Sequence, residues 1–281
     1  MLFEGINEMN SALPYYIVNA FTEIPFGGNP AAVMVLDQWL PDAQMQALAA
    51  QHNLSETAFL VKQPDNTFAL RWFTPIVEVP LCGHATLAAA HVLINELGVT
   101  ERPLRFLTRF QGSLFSNQEA EGIAIELPRV SCVQHDVEEG IEKALGAVVV
   151  SAARPVSDPW QVIYELQSEA AVRGLMPDIN ALANAVSHCV IVTAAGSATD
   201  FVSRMFGPHY GVDEDPVTGS AHCLLAPFWF ERLGRSSLSA EQCSARGGMI
   251  KCILVADRVK LVGQAMTFAF GHIAAAALGE T

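Results

Sequence analysis

The sequence is short of charge, and the charge it has is mostly of one sign. Charged residues make up 16% of 281, with 16 basic against 29 acidic and a formal net charge of -13. No dense Lys/Arg run offsets that acidity, so nucleic acid is excluded as an expected partner. Long hydrophobic runs are missing as well. None reaches the roughly 18 residues a bilayer-spanning helix needs, and the start, MLFEGINEMNSALPYY, lacks a basic segment followed by an apolar one. Neither a membrane nor export is therefore expected. The six cysteines, Cys82, Cys132, Cys189, Cys223, Cys243 and Cys252, show no CxxC or CxxxC spacing. That argues against a structural zinc site, and with no secretory leader against a disulfide framework, leaving reduced thiols in the cytoplasm. Gly27-Gly28-Asn29 lacks both GxGxxG and GKT/S, so no nucleotide cofactor is implied. His188, His209 and His222 have no carboxylate or cysteine at metal spacing, and no metal is expected.

What is present is apolar. A hydrophobic share of 51% describes a compact globular chain, long enough for one large domain or two moderate ones. The patterning predicts strands at 15–21, 31–36, 58–62 and 68–73, and a helix over 41–52. Glu56 falls at the junction between that helix and the next strand. Residues before Pro14 read as a loose leader. His84 to Leu97 is apolar on nearly every face and stopped by Gly98, so it predicts a helix buried on all sides. Strands follow at 104–108, 112–116 and 122–127.

The second half repeats this plan. Phe73-Thr74-Pro75 is echoed by Phe206-Gly207-Pro208, and Pro80-Leu81-Cys82-Gly83-His84-Ala85 by Pro216-Val217-Thr218-Gly219-Ser220-Ala221. Each opens an apolar helix, the second over about 220–233 and stopped by Gly234. Two similar lobes follow, 15–128 and 129–264, with 265–281 a candidate addition to the first. Each lobe is expected to be a mostly antiparallel, barrel-like sheet around its helix, an α+β fold.

Both Gly83 and Gly219 open a buried helix, whose free N–H groups and positive dipole end suit a carboxylate. One such glycine is equally a tight turn; the pair favours a shared site. Titratable groups gather nearby: Glu214-Asp215 before the second helix, Cys82 and His84 about the first glycine, and Ser55-Glu56 from another loop. Adjacent carboxylates in a partly dry cleft would shift a pKa toward neutrality, as proton transfer at carbon requires. Glu56 could equally be a solvated residue at the start of a strand. Asp215 could be a charge partner for a helix N-terminus, and His84 a satisfied buried histidine. Arg246-Gly247-Gly248 is open between loop geometry and a contact to an acidic ligand.

The strings FTEIPFGGNPAAV (21–33), NLSETAFL (53–60), RWFTP (71–75), EVPLCGHATLAAAHVL (78–93), EDPVTGSAHC (214–223) and RGG (246–248) together resemble the phenazine-biosynthesis PhzF-like family. That family is similar in fold to diaminopimelate epimerase. The resemblance implies cofactor-free proton transfer between two lobes, and a homodimer. It implies Glu56 as acid/base with His84 and Asp215 assisting. It also implies Gly28, Asn29, Cys82, Gly83, Gly219 and Ser220 as contacts to a small carboxylate substrate. In the epimerase branch two cysteines act as opposed acid and base; here the first position is Cys82 but the second is Thr218, whose hydroxyl cannot act as a base near neutral pH. Asn19 departs from the family's usual Asp, with an effect expected on the loop. The alternatives are a racemase or epimerase using Cys82, and a non-catalytic metabolite-binding protein of the same fold.

Overall fold

A computed structural model describes residues 12–65, 67–157 and 160–278. The leader expected before Pro14 lies, as far as residue 11, outside them. The first half runs β1 (Leu13–Ala20), β2 (Asn29–Leu36), α1 (Asp42–His52), β3 (Glu56–Lys62), β4 (Phe68–Phe73), β5 (Glu78–Val79), α2 (Gly83–His91), β6 (Leu104–Thr108), β7 (Gly112–Glu119) and β8 (Gly122–Pro128). The second runs β9 (Cys132–His135), α3 (Ile141–Leu145), β10 (Val149–Pro155), β11 (Gln161–Leu166), α4 (Glu169–Arg173), α5 (Ile179–Ala185), β12 (Cys189–Ala195), β13 (Phe201–Gly207), β14 (Val212–Asp215), α6 (Gly219–Leu233), β15 (Ser237–Gln242), β16 (Gly248–Val255), β17 (Arg258–Gly263) and β18 (Ala265–Ile273).

The strand pairings show the duplication directly. In the first half β2 lies parallel to β3 and β4 parallel to β6; in the second β11 lies parallel to β12 and β13 parallel to β15, the other pairs being antiparallel. The two sheets meet where β8 pairs with β17. β18 returns from the C-terminal end to pair with β1, and β9 occupies the corresponding place beside β10. Each sheet curls around one buried helix, α2 or α6. The two-lobed α+β fold is thus the observed one.

Because both faces of the central strands are covered, they are apolar throughout, and alternation divides them between cores. Ala58 and Leu60 of β3 join the central core around the two helices, while Phe59 and Val61 face α1. Ile191 of β12 likewise faces inward, and Val190, Val192 and Ala194 pack under α3 to α5. The first buried helix begins at Gly83, one residue before its expected start. Its end widens into a π turn, Val92–Glu96, and Gly98 terminates it with φ +63.

An ion pair recurs with the fold. Arg71 grips Glu78 at 2.8 and 2.7 Å, and Arg204 grips Glu214 at 2.7 and 2.9 Å. Each guanidinium also lies 5.1 Å from the ring two residues along, Phe73 or Phe206. These pairs brace the hairpin that feeds each helix. The titratable pair expected at Glu214-Asp215 is therefore split. Neighbouring strand residues point to opposite faces, so Glu214 turns to Arg204 while Asp215 turns into the gap between lobes.

Candidate active site

The helices meet at their first residues. A Cβ on Gly83 would stand 2.8 Å from the Gly219 Cα, and one on Gly219 would stand 2.8 Å from the Gly83 Cα. Only glycine on both sides permits that approach. It places two helix N-termini side by side, each with main-chain N–H groups that have no partner within the helix.

Five side chains line the junction: Glu56, His84, Asn29, Asp215 and Cys82. Glu56 opens β3, its side chain 18% exposed, with Oε2 3.2 Å from His84 Nε2. The two atoms do not align as a hydrogen bond, and both are buried without a partner. Asn29, fully buried at the start of β2, reaches from the first lobe to the second: its Nδ2 donates to Asp215 Oδ1 at 2.8 Å and to the Val217 carbonyl at 2.9 Å, and lies 3.2 Å from His84 Nδ1. Its Oδ1 is buried and unpartnered. Asp215 receives a second bond on Oδ2 from the Thr218 hydroxyl. Cys82, 5% exposed, sets its Sγ 3.6 Å from His84 Nδ1.

These surroundings displace every proton affinity. Burial, and then the charge of Asp215, push Glu56 up to about 8, against a smaller opposing effect of the Cys82 thiol. Burial raises Asp215 to about 6, although the bonds from Thr218 and Asn29 favour its ionised form. Burial lowers His84 to about 3, so it is a neutral imidazole at every ordinary pH. Burial and the neighbouring Glu56 hold the Cys82 thiol well above its usual range. One carboxyl near neutrality beside a neutral imidazole is a set suited to moving a proton at carbon. Glu56, Cys82 and His84 also present donor atoms within 4.8 Å of one another, a set that a zinc-class ion could use.

The other expected contacts lie around this junction. Gly28 has φ +64, and a Cβ there would meet the Ala20 carbonyl at 2.2 Å. Its N–H bonds the Gly247 carbonyl at 2.9 Å and its own carbonyl accepts from Arg246 Nε at 2.7 Å, so it shapes the loop that presents Asn29. Arg246 also donates to the Gly27 carbonyl at 2.8 Å and to Asn19 Oδ1 at 3.2 Å. Its guanidinium thus serves loop geometry, and Asn19 acts on that loop. Ser220 lies partly exposed in the first turn of α6. Gln242 went unnoticed in the sequence: fully buried, it accepts from Thr218 N–H at 2.8 Å and donates to the Asp215 carbonyl at 2.7 Å and Thr218 Oγ1 at 3.1 Å. Only its burial distinguishes it, and one polar residue ending a strand gives no sequence signal of that.

Two duplicated lobes, each a sheet curled around one glycine-started helix, are the architecture of the diaminopimelate epimerase-like fold. A family model described as phenazine biosynthesis-like protein matches residues 18–271. The chain is 48% identical over 265 residues to an uncharacterized isomerase of Pseudomonas aeruginosa, covering 93% of this chain and 98% of that one. The crystal structure of a PhzF-family phenazine biosynthesis protein from Enterococcus faecalis superposes with a TM-score of 0.87 at 44% identity, covering 93% and 98%. A hydroxyproline epimerase from Agrobacterium vitis shares the fold alone, with a TM-score of 0.59 at 11% identity over 95% and 94%. The chain belongs to the PhzF-like family and is an isomerase-type enzyme. No helix among the described residues is long and apolar enough to cross a membrane.

Proposed function

We propose that the enzyme moves a proton between two carbons of a small carboxylate, on one face, without a cofactor, with Glu56 as the acid/base. The observation that carries this reading is the set of buried, unpartnered polar atoms in contacting side chains: Glu56 Oε2, His84 Nε2 and Asn29 Oδ1. Leaving one such group unsatisfied costs about 1–3 kcal/mol, so a ligand is their natural partner. The Asn29 amide cannot be turned around, because its nitrogen faces two acceptors; Oδ1 therefore asks for a hydroxyl or amino group on the substrate. The free N–H groups of α2 and α6, around Gly83, Gly219 and Ser220, would hold the carboxylate, and His84 and Asp215 would steady the charge that develops.

A comparison of the lobes supports one-sided chemistry. Parallel register sets Ala31 opposite Glu56 and Gln161 opposite Cys189, while antiparallel register sets Thr57 opposite Phe73 and Val190 opposite Phe206. Cys189 therefore occupies the second lobe's counterpart of the Glu56 position. Burial pushes its thiol up to about 12, which makes it no base. The counterparts of Cys82 and His84 are Thr218 and Ser220, again without a base. Asp215 has both oxygens engaged by Asn29 and Thr218. An inversion needs proton carriers on opposite faces; a double-bond shift needs one.

The test is deuterium uptake from heavy water into a panel of unsaturated, hydroxy and amino carboxylates. Wild type should exchange and Glu56→Gln should not. Exchange that survives in Glu56→Gln but not in Cys82→Ser would establish the racemase reading; tight ligand binding with no exchange would establish a binding protein. A homodimer belongs to the same proposal and is read by sedimentation.

A further inference from the structure

We infer that Asn29 is a positioning residue: it locks His84 in its Nε2–H tautomer and thereby keeps a neutral N–H donor beside the Glu56 carboxyl, free for the charge that develops on the substrate. The argument begins with the amide. Its nitrogen has two hydrogens and no available lone pair. Asp215 Oδ1 and the Val217 carbonyl, at 2.8 and 2.9 Å, are acceptors and fix which end of the amide is nitrogen. His84 Nδ1 then faces an NH2 group at 3.2 Å. A hydrogen on Nδ1 would point at an amide nitrogen with no lone pair to accept it, so Nδ1 is the bare nitrogen.

The remaining hydrogen sits on Nε2, which faces Glu56 Oε2 at 3.2 Å. The two atoms do not align as a hydrogen bond and neither has another partner, so this N–H stays available to the substrate. When Glu56 acts, the substrate C–H bond breaks, its electron pair stays on the substrate, and an O–H bond forms on the Glu56 carboxylate. On return that O–H breaks and a C–H bond forms at the second carbon. His84 neither gains nor loses a proton; its Nε2–H steadies the substrate's charge while Glu56 does the transfer. The loop carrying Asn29 is fixed upstream by Arg246, which binds the Gly27 and Gly28 carbonyls.

The tautomer can be read directly by nitrogen-15 NMR of the full chain, with His84 assigned by its loss in His84→Gln. Wild type should show Nε2–H and a bare Nδ1. Asn29→Ala should mix the tautomers, and Asn29→Asp, whose carboxylate accepts from Nδ1–H, should reverse them. Both should lower kcat for proton exchange by on the order of 10²-fold or more with little change in KM. A wild-type Nδ1–H tautomer overturns the inference, even if neither variant folds. So does Asn29→Ala that keeps the Nε2–H form, whatever its rate. Only the kinetic arm rests on the proposed proton transfer; absence of exchange by wild type would count against that function, and the NMR result would stand by itself.

Discussion

Replacing Gly83 with alanine would put a methyl group 2.8 Å from the Gly219 Cα and 3.3 Å from its carbonyl carbon. Carbon atoms rest at about 3.5–4.0 Å, so the helix starts must part by roughly 0.7–1.2 Å. Both contacts are backbone, with no side chain to swing aside. Overpacking of this kind costs about 1–3 kcal/mol. The larger effect should be on rate, because Asn29 spans the same gap to Asp215 and Val217, and a misplacement of about 1 Å can cost on the order of 10²-fold. Urea denaturation and deuterium exchange measure the two effects on one preparation. Gly98→Ala is the control: φ there is +63 but nothing lies within 4 Å of the added methyl, so it should lose some stability and keep its exchange rate. A Gly83→Ala enzyme with the wild-type midpoint and rate would refute the claim that the glycine pair sets the spacing of the site.

The remaining predictions concern protons and buried hydrogen bonds. Glu56 titrates near 8 in the folded chain against 4.5 ordinarily; a folded pKa raised in this way gives stability that is full below about 4.5 and is lost as pH rises through about 8. Glu56→Gln should therefore be more stable than wild type at pH 9, and lose that advantage near pH 4, in denaturation curves taken at both. Activity should run the other way, kcat/KM rising through about pH 8 as the base ionises. Gln242→Ala leaves Thr218 N–H and the Asp215 carbonyl without their partner, and should cost roughly 2–4 kcal/mol by denaturant titration.

Much of the fold was legible because it is written twice. The glycine-started helices and the Phe-x-Pro turns repeat in residue type and order, and each marks a local conformation. The braces Arg71–Glu78 and Arg204–Glu214 repeat too, yet they escaped notice because the partners are separated by turns of different length. Adjacency in sequence pairs Glu214 with Asp215, whereas a strand sends neighbours to opposite faces. The roles of Asn29 and Gln242 were hidden for another reason. Asn29 reaches Asp215 and Val217 across 186 and 188 residues, and the register that brings them together arises only when the second lobe closes on the first. Gly28 and Arg246 proved to shape the loop for the same reason: their partners lie on each other's segments.

The most direct test of a single base on one face is stereochemical. Once an exchanging substrate is in hand, the product formed in heavy water is analysed by NMR for the face of deuterium at each carbon. A lone Glu56 should deliver deuterium to the face from which the proton left, at a new carbon, with some of the substrate's own proton carried across. Deuterium on the opposite face of the same carbon, abolished by Cys82→Ser, would contradict it and establish a two-base inversion.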